Sequence, residues 1–384
     1  MSLDIGAVNK ASELVVGVGR ALRYAHFITP LNQRESRVAY LSAWNSGQAI
    51  DPVFEYLEPT ADTLDAIGRA TAALPDDSAW RERLNREIEA ARIGHEALVT
   101  HDPATMTAYA LGQFGSPTDE GLAQALDYLA HHPRQGPGPV QWTADRAAGI
   151  MTEVLAKAEL GDWAVEVDDH MAARMSVTGV KRLLRVKQGA MFTPAEVRRL
   201  IVHEIGTHVA RTVNGNSQPL TLLAHGITGY MGTEEGLAVW HEQQEGVSDV
   251  NVMRTYAMRV VACHKAMTGG FGEVFAAVLP HTTPEDAFGI TLRIKRGLID
   301  TSQPGGYIKD HVYFMGALAV AGHLDQASSD HELLLATKWP LAEIEALRDL
   351  REQGLLLEPI VRTSMIAAFA QEVMSSYRGS DLTS

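Results

Sequence analysis

The segment FTPAEVRRLIVHEIGTH, residues 192–208, limits the fold more than any other part of the chain. Thr193 is placed to cap a helix, Pro194 occupies the first helical position, and Glu196 completes a capping box. Val197, Leu200, Ile201 and Ile205 recur at helical spacing and form the stripe that must be buried. His203, Glu204 and His208 therefore project from the interior of a helix, where a side chain can be held rigidly. The two histidines stand five residues apart, one more than in the H-E-x-x-H metal signature. On a regular α-helix, residues five apart diverge by about 140°, against about 40° for residues four apart. A one-residue π-bulge absorbs the extra residue and returns both histidines to one face. Gly206 suits such an irregularity because it tolerates unusual dihedrals. The sequence thus predicts a distortion at residues 205–207, and a straight helix through His208 would argue against a shared metal.

The dipeptide His-Glu occurs four times, at His95, His203, His241 and His331, so alone it carries little weight. Weight comes from TEEGLAV downstream, which sets Glu234 and Glu235 at the start of another helix. Two histidines and one carboxylate make the usual three-ligand set of a catalytic zinc site, with a fourth position left for water. Glu242 falls seven residues beyond Glu235, on the same helical face. It is either a partner that orients a ligand histidine or a solvated charge. The single cysteine, Cys263, rules out an internal disulfide and a thiolate cluster, and fits a reducing, cytoplasmic setting.

The formal net charge of −14, from 33 basic and 47 acidic residues, argues against a nucleic-acid binder or an anionic-membrane binder. No basic n-region with an apolar run opens the chain, and no apolar stretch reaches the ~18 residues of a membrane span. Helices separated by proline turns fill the first third: residues 9–28, 32–44, 62–73, 79–99 and 119–131. Residues 51–59 read as extended. Residues 133–140, with three prolines and two glycines, form the best linker. It divides an N-terminal helical region, 1–132, from a catalytic region, 140–384, unless the two make one continuous domain. A helix at residues 143–160 and two short strands, WAVEVDD and RLLRVK, precede the histidine helix. The remainder, from about Arg254, reads as mainly helical. The expected fold class is α+β, mostly helical, with a small mixed β-sheet.

HEIGTH, the NG that follows, and TEEGLAV resemble the tyrosine carboxypeptidase family. That family includes microtubule-associated enzymes that remove the C-terminal tyrosine of tubulin, and bacterial proteins named for a QEGLA motif and described as flavohaemoglobin expression modulators. DPVFEY, LRIKRG and IKDHVYFMG extend the resemblance over most of the chain. It implies a zinc metallopeptidase with a zincin-like, gluzincin-type core. Carried over residue by residue, His203 and His208 match the histidine ligands and Glu204 the catalytic base. Only the glutamate directly before glycine is common to QEGLA and EEGLA, which points to Glu235 as the third ligand.

The implied reaction is hydrolysis at or near a peptide C-terminus, with Zn2+ as cofactor and Glu204 shuttling the proton. An oxyanion donor is needed. Tyr313 is preferred over His311, Tyr307, His225 and Tyr230 because it lies in the family-like IKDHVYFMG. A terminal carboxylate needs a cationic receptor, for which Arg293, Arg296 and Lys309 are candidates. Arg293 and Arg296 share a face if both are helical. The expected partner is a peptide or protein C-terminus. The acidic balance and the lack of a basic cluster in the sequence argue against tubulin itself. Two alternatives stay open: a non-haem iron enzyme built on the same two-histidine, one-carboxylate set, and a non-catalytic regulator. Glu204 discriminates against the first, since hydrolysis needs a base there and an oxygenase does not; the intact set of His203, Glu204, His208 and Glu235 argues against the second.

Overall fold

The computed structural model describes residues 3–48, 50–136, 138–139, 142–169 and 174–380. Pro137 and Val140 of the expected linker lie outside the described residues. The chain is mostly helical with two small sheets. The first long helix, Ile5–Leu22, stops six residues earlier than its periodicity suggests, because Arg23 takes a left-handed conformation with φ of 43°. That turn redirects Tyr24 and Phe27 inward, and Tyr24 stacks on Tyr109 with ring centroids 4.2 Å apart. Gln33–Asn45, Asp62–Ala72, Ser78–Thr100 and Asp119–His131 are helical as expected. Pro103–Phe114 is an additional helix, capped by Asp102 and opened by Pro103. Residues 52–59 are not helical, and Val53 pairs singly with Asp300.

The larger sheet is mixed. Leu183–Lys187 lies at its centre, parallel to Ala164–Asp168 and antiparallel to Met175–Thr178. Val165 and Val167 are half-buried while Ala164 and Glu166 are exposed, the alternation of a strand with one face on the core. A two-residue ribbon pairs Trp142 with Phe192 and Thr143 with Met191. It delivers the chain directly into the Thr193 cap. Thr193 and Glu196 form the reciprocal capping box, with Pro194 at the first helical position.

Two apolar cores organise these elements. The larger draws on helices before the linker (Val8, Leu84, Leu98) and on residues after 220 (Phe271, Val274, Trp339). The smaller joins Trp142, Met151, Leu184 and Phe192 to Ile205, Val209, Ile366 and Ala370. The histidine helix is anchored in the smaller core, whereas the helix of Glu235, Tyr230–Gln244, sends Leu237 and Val239 into the larger one. The candidate site lies on that seam. Burying each such side chain contributes about 1.5–3 kcal/mol, so both sides of the site are fixed independently. Among the described residues no helix is long and apolar enough to cross a membrane.

Candidate metal centre

The run through the histidines is helical throughout but changes its winding. Pro194–Leu200 is α-helical, Ile201–Val209 is a π-helix, and Ala210–Asn216 returns to α. The distortion expected at residues 205–207 is present and spans nine residues. The Thr207 hydroxyl reinforces it by donating to the Val202 carbonyl five residues back, at 3.3 Å. Gly206 contributes for a different reason from the one expected. Its φ is not positive. A Cβ there would instead stand 3.0 Å from the methyl of Thr363, whose hydroxyl donates to the Gly206 carbonyl at 2.6 Å. Close approach of the helix Thr363–Ser380 is what favours glycine there.

The winding brings the imidazole rings of His203 and His208 to 4.9 Å, nearly perpendicular at 81°. Their Nε2 atoms face the same oxygen of Glu235, at 3.7 and 3.6 Å. One ligand atom from each of the three residues lies within 4.8 Å of the others. Each ring is fixed from behind. His203 Nδ1 lies 2.7 Å from Glu242 and His208 Nδ1 lies 2.8 Å from Glu234. A carboxylate only accepts, so each Nδ1 carries a proton, which leaves Nε2 as the nitrogen that a neutral ring would offer to a metal.

The supporting carboxylates are themselves held by cations. Glu242 is fully buried and receives Arg199 at 2.9 Å. Glu234 receives Lys338 at 3.0 Å and the fully buried Arg211, which also donates to the carbonyls of Leu334, Thr337 and Trp339. Glu242 is thus the orienting partner and not a solvated charge.

Burial alone would depress both histidines. Glu235 and Glu242 more than offset it for His203, and Glu234 and Glu235 push His208 up to about 8. Burial raises the Glu235 carboxyl, but Lys309, then His203 and His208, hold it well below the usual carboxylate range. A field that favours an extra proton on these rings also favours a cation between them. Two imidazole nitrogens with fixed tautomers and one ionised carboxylate oxygen, at this spacing, fit a divalent metal with an open position.

The centre opens on a cleft of about 1350 Å³ that reaches His203, Glu204, Tyr256 and Tyr313. Glu204 is buried beside His203. Lys309 Nζ sits 3.4 Å from Glu235 and 3.5 Å from the Tyr313 hydroxyl. Arg293 lines the cleft but grips Asp310 with both arms of its guanidinium. Arg296 does not share its face: the helix Pro284–Lys295 ends before it, its backbone is extended, and its guanidinium lies over the Tyr307 ring. Tyr307 packs against Tyr24 and Phe114, His311 turns back to the Ile308 carbonyl, and His225 borders a separate cavity of about 310 Å³. Tyr230, at the start of the Glu235 helix, is held well above the usual phenol range by burial, then by Glu234 and Glu235.

Tyr256, Arg259, Arg199 and Arg211 were not singled out by sequence. Arg199 and Arg211 have partners distant in the chain, and Tyr256 and Arg259 belong to no motif. The same is true of the basic wall. Nine Arg and Lys side chains against four carboxylates line the cleft, drawn from residues as far apart as Arg34, Arg134, Lys187 and Arg293. The expectation against tubulin rested on the acidic balance and on the absence of a basic cluster. The second premise fails, because folding lines the cleft with basic residues from isolated positions.

Fold and centre together define a mostly helical α+β protein with a largely buried two-histidine, one-carboxylate cluster that could hold a cation, opening into a cleft lined by basic residues. The chain belongs to the microtubule-associated tyrosine carboxypeptidase family, whose model matches residues 45–378. It is 32% identical over 162 residues to mouse microtubule-associated tyrosine carboxypeptidase 1, and 31% identical over 162 residues to the human protein of that name. Each match covers 41% of this chain and 33% of the relative, so the chain spans about a third of the length of these relatives.

Proposed function

We propose that this protein is a zinc-dependent carboxypeptidase with a zincin-like ligand plan, trimming the C-terminal residue from acidic peptide or protein tails. One observation carries the reading: two histidine Nε2 atoms converge on Glu235, each ring fixed by its own buried carboxylate, at the wall of a basic cleft. His203, His208 and Glu235 would hold the ion, which supplies Lewis acidity and lowers the pKa of a water towards neutrality. Glu204, on the same π-turn as both histidines, takes the proton of the attacking water and delivers it to the leaving amine. Burial, then Glu235 and Asp310, keep the Tyr313 hydroxyl protonated far above its ordinary range, so it serves as a donor to the developing oxyanion. The cationic wall attracts an acidic tail, and a tubulin tail has that chemistry. The tyrosine preference is taken from the family description and the relatives' names.

The test combines metal analysis with a Glu204→Gln variant, both proteins assayed on acidic peptides differing in their last residue. The expected result is stoichiometric zinc in both, with C-terminal trimming in the wild type alone. Equal trimming by both would remove Glu204 from the reaction. A wild type without stoichiometric metal would favour a regulator, and iron in place of zinc would favour oxygenase chemistry.

A further inference from the structure

A carboxypeptidase must distinguish a chain end from an internal peptide bond. We infer that Arg259 makes this distinction, its guanidinium receiving the terminal carboxylate of the substrate; the inference rests on the carboxypeptidase reading above.

Covalent geometry sets where such a receptor must stand. The scissile carbonyl carbon and the terminal carboxylate carbon are separated by three bonds, so they lie at most about 4 Å apart. The receptor therefore belongs beside the ligand cluster. A chain of contacts leads from the ligand to Arg259: Glu235 to Lys309 at 3.4 Å, Lys309 to the Tyr313 hydroxyl at 3.5 Å, and the Tyr313 ring to the Arg259 guanidinium at 4.9 Å.

Three other arginines of the cleft wall are engaged. Arg199 is paired with Glu242, and Arg254 donates to the carbonyls of Leu129, His132 and His281. Arg293 is bidentate on Asp310. Lys309, beside them, faces the ligand Glu235. Arg34 and Arg37 are exposed, where pairing with a carboxylate is weak. Arg259 differs from all of these. Its side chain is 17% exposed, its nearest carboxylate oxygen, on Asp310, is 3.5 Å away, and among the described residues its guanidinium makes no hydrogen bond. The Nε atom is buried with no hydrogen-bond partner, only the ion pair to Asp310.

Its orientation is nevertheless fixed. Tyr256 and Tyr313 stack on each other at 4.9 Å, and the Arg259 guanidinium lies over both rings. Stacking holds the planar fork in one plane, as bidentate capture of a carboxylate requires. The charges also balance: Arg259 and Arg293 share the single carboxylate of Asp310, leaving one positive charge for one incoming anion.

The experiment compares an acidic peptide ending in a tyrosine free acid with the same peptide ending in tyrosine amide. Both are assayed on wild type, Arg259→Gln and Arg259→Lys, with metal content and melting temperature recorded for each protein. Wild type should prefer the free acid. Losing a charged hydrogen-bond pair should cut kcat/KM on the acid by about 10- to 100-fold in Arg259→Gln, mainly through KM, and leave the amide unchanged. Arg259→Lys, which keeps the charge without the fork, should fall between. Should both variants keep the wild-type acid-to-amide ratio, or slow both substrates alike at full metal content, Arg259 does not read the carboxylate. A wild type that trims acid and amide equally overturns this assignment alone. A wild type that trims neither overturns the carboxypeptidase reading and this inference with it.

Discussion

The two carboxylates behind the histidines do the same work for the rings but carry different loads. Glu242 orients His203 and neutralises Arg199, which lines the cleft and can find water if its partner is lost. Glu234 orients His208 and neutralises Arg211, which has no exposed surface. Glu242→Gln should therefore weaken metal binding about 10- to 100-fold with little change in stability. Glu234→Gln should also strand a buried guanidinium, at about 3–5 kcal/mol. Chelator competition and denaturant midpoints of the two variants separate the effects; equal midpoints would mean that Arg211 does not depend on Glu234. Glu242 was legible in the sequence, because seven residues return a helix to the same face. Arg211 was not. Three of its partners are backbone carbonyls between residues 334 and 339, and no spacing announces such contacts.

At the scale of elements, the glycine of EEGLA explains how Glu235 reaches the centre. The helix Tyr230–Gln244 crosses Val312–Leu324 at a backbone-to-backbone contact. A Cβ on Gly236 would stand 2.3 Å from the Gly316 carbonyl carbon, whereas one on Gly232 meets nothing within 4 Å. Gly236→Ala should cost about 1–3 kcal/mol through overpacking and lower metal affinity by moving Glu235. Gly232→Ala should be neutral or stabilising by about 0.5–1 kcal/mol, since alanine is the better helix former. Thermal unfolding of the pair decides it: similar losses in both would show that the crossing does not need a bare Cα. Elements with local signals were readable in advance, among them the capped helix at Pro194, the strands beside it and the π-turn forced by the histidine spacing. The break at Arg23 had no local signal, since it serves the packing of Tyr24 on Tyr109. The helix Pro103–Phe114 did carry one, an aspartate cap before a proline, but its short stretch lacks strong amphipathic periodicity.

For the whole molecule, net charge and local field have opposite signs. A chain with formal charge −14 turns a cationic wall toward its candidate site. No inspection of the linear sequence finds that wall, because its residues come together only in the fold. Trimming of acidic tails should weaken as salt rises from about 0.05 to 0.5 M, as screening shortens from more than 10 Å to less than 8 Å, while trimming of neutral tails changes little. Arg34→Glu with Arg37→Glu should raise KM for acidic tails and leave kcat in place. Steady-state kinetics across the salt series checks both, and a salt-independent KM would place the tail elsewhere.

The brace around the π-turn also bears on the order in which the centre matures. His203, Glu204, His208 and Glu235 lie in one short span of sequence, yet the turn is secured by Thr363, and the helix after it by Leu334, Leu335, Thr337, Trp339 and Val361. On a ribosome the ligands emerge about a hundred residues before the segments that lock them, at about 5–20 residues per second. For several seconds a nascent chain carries the candidate ligands on a turn that is not yet braced. Rigid geometry arrives later, when the distant segments close over the turn.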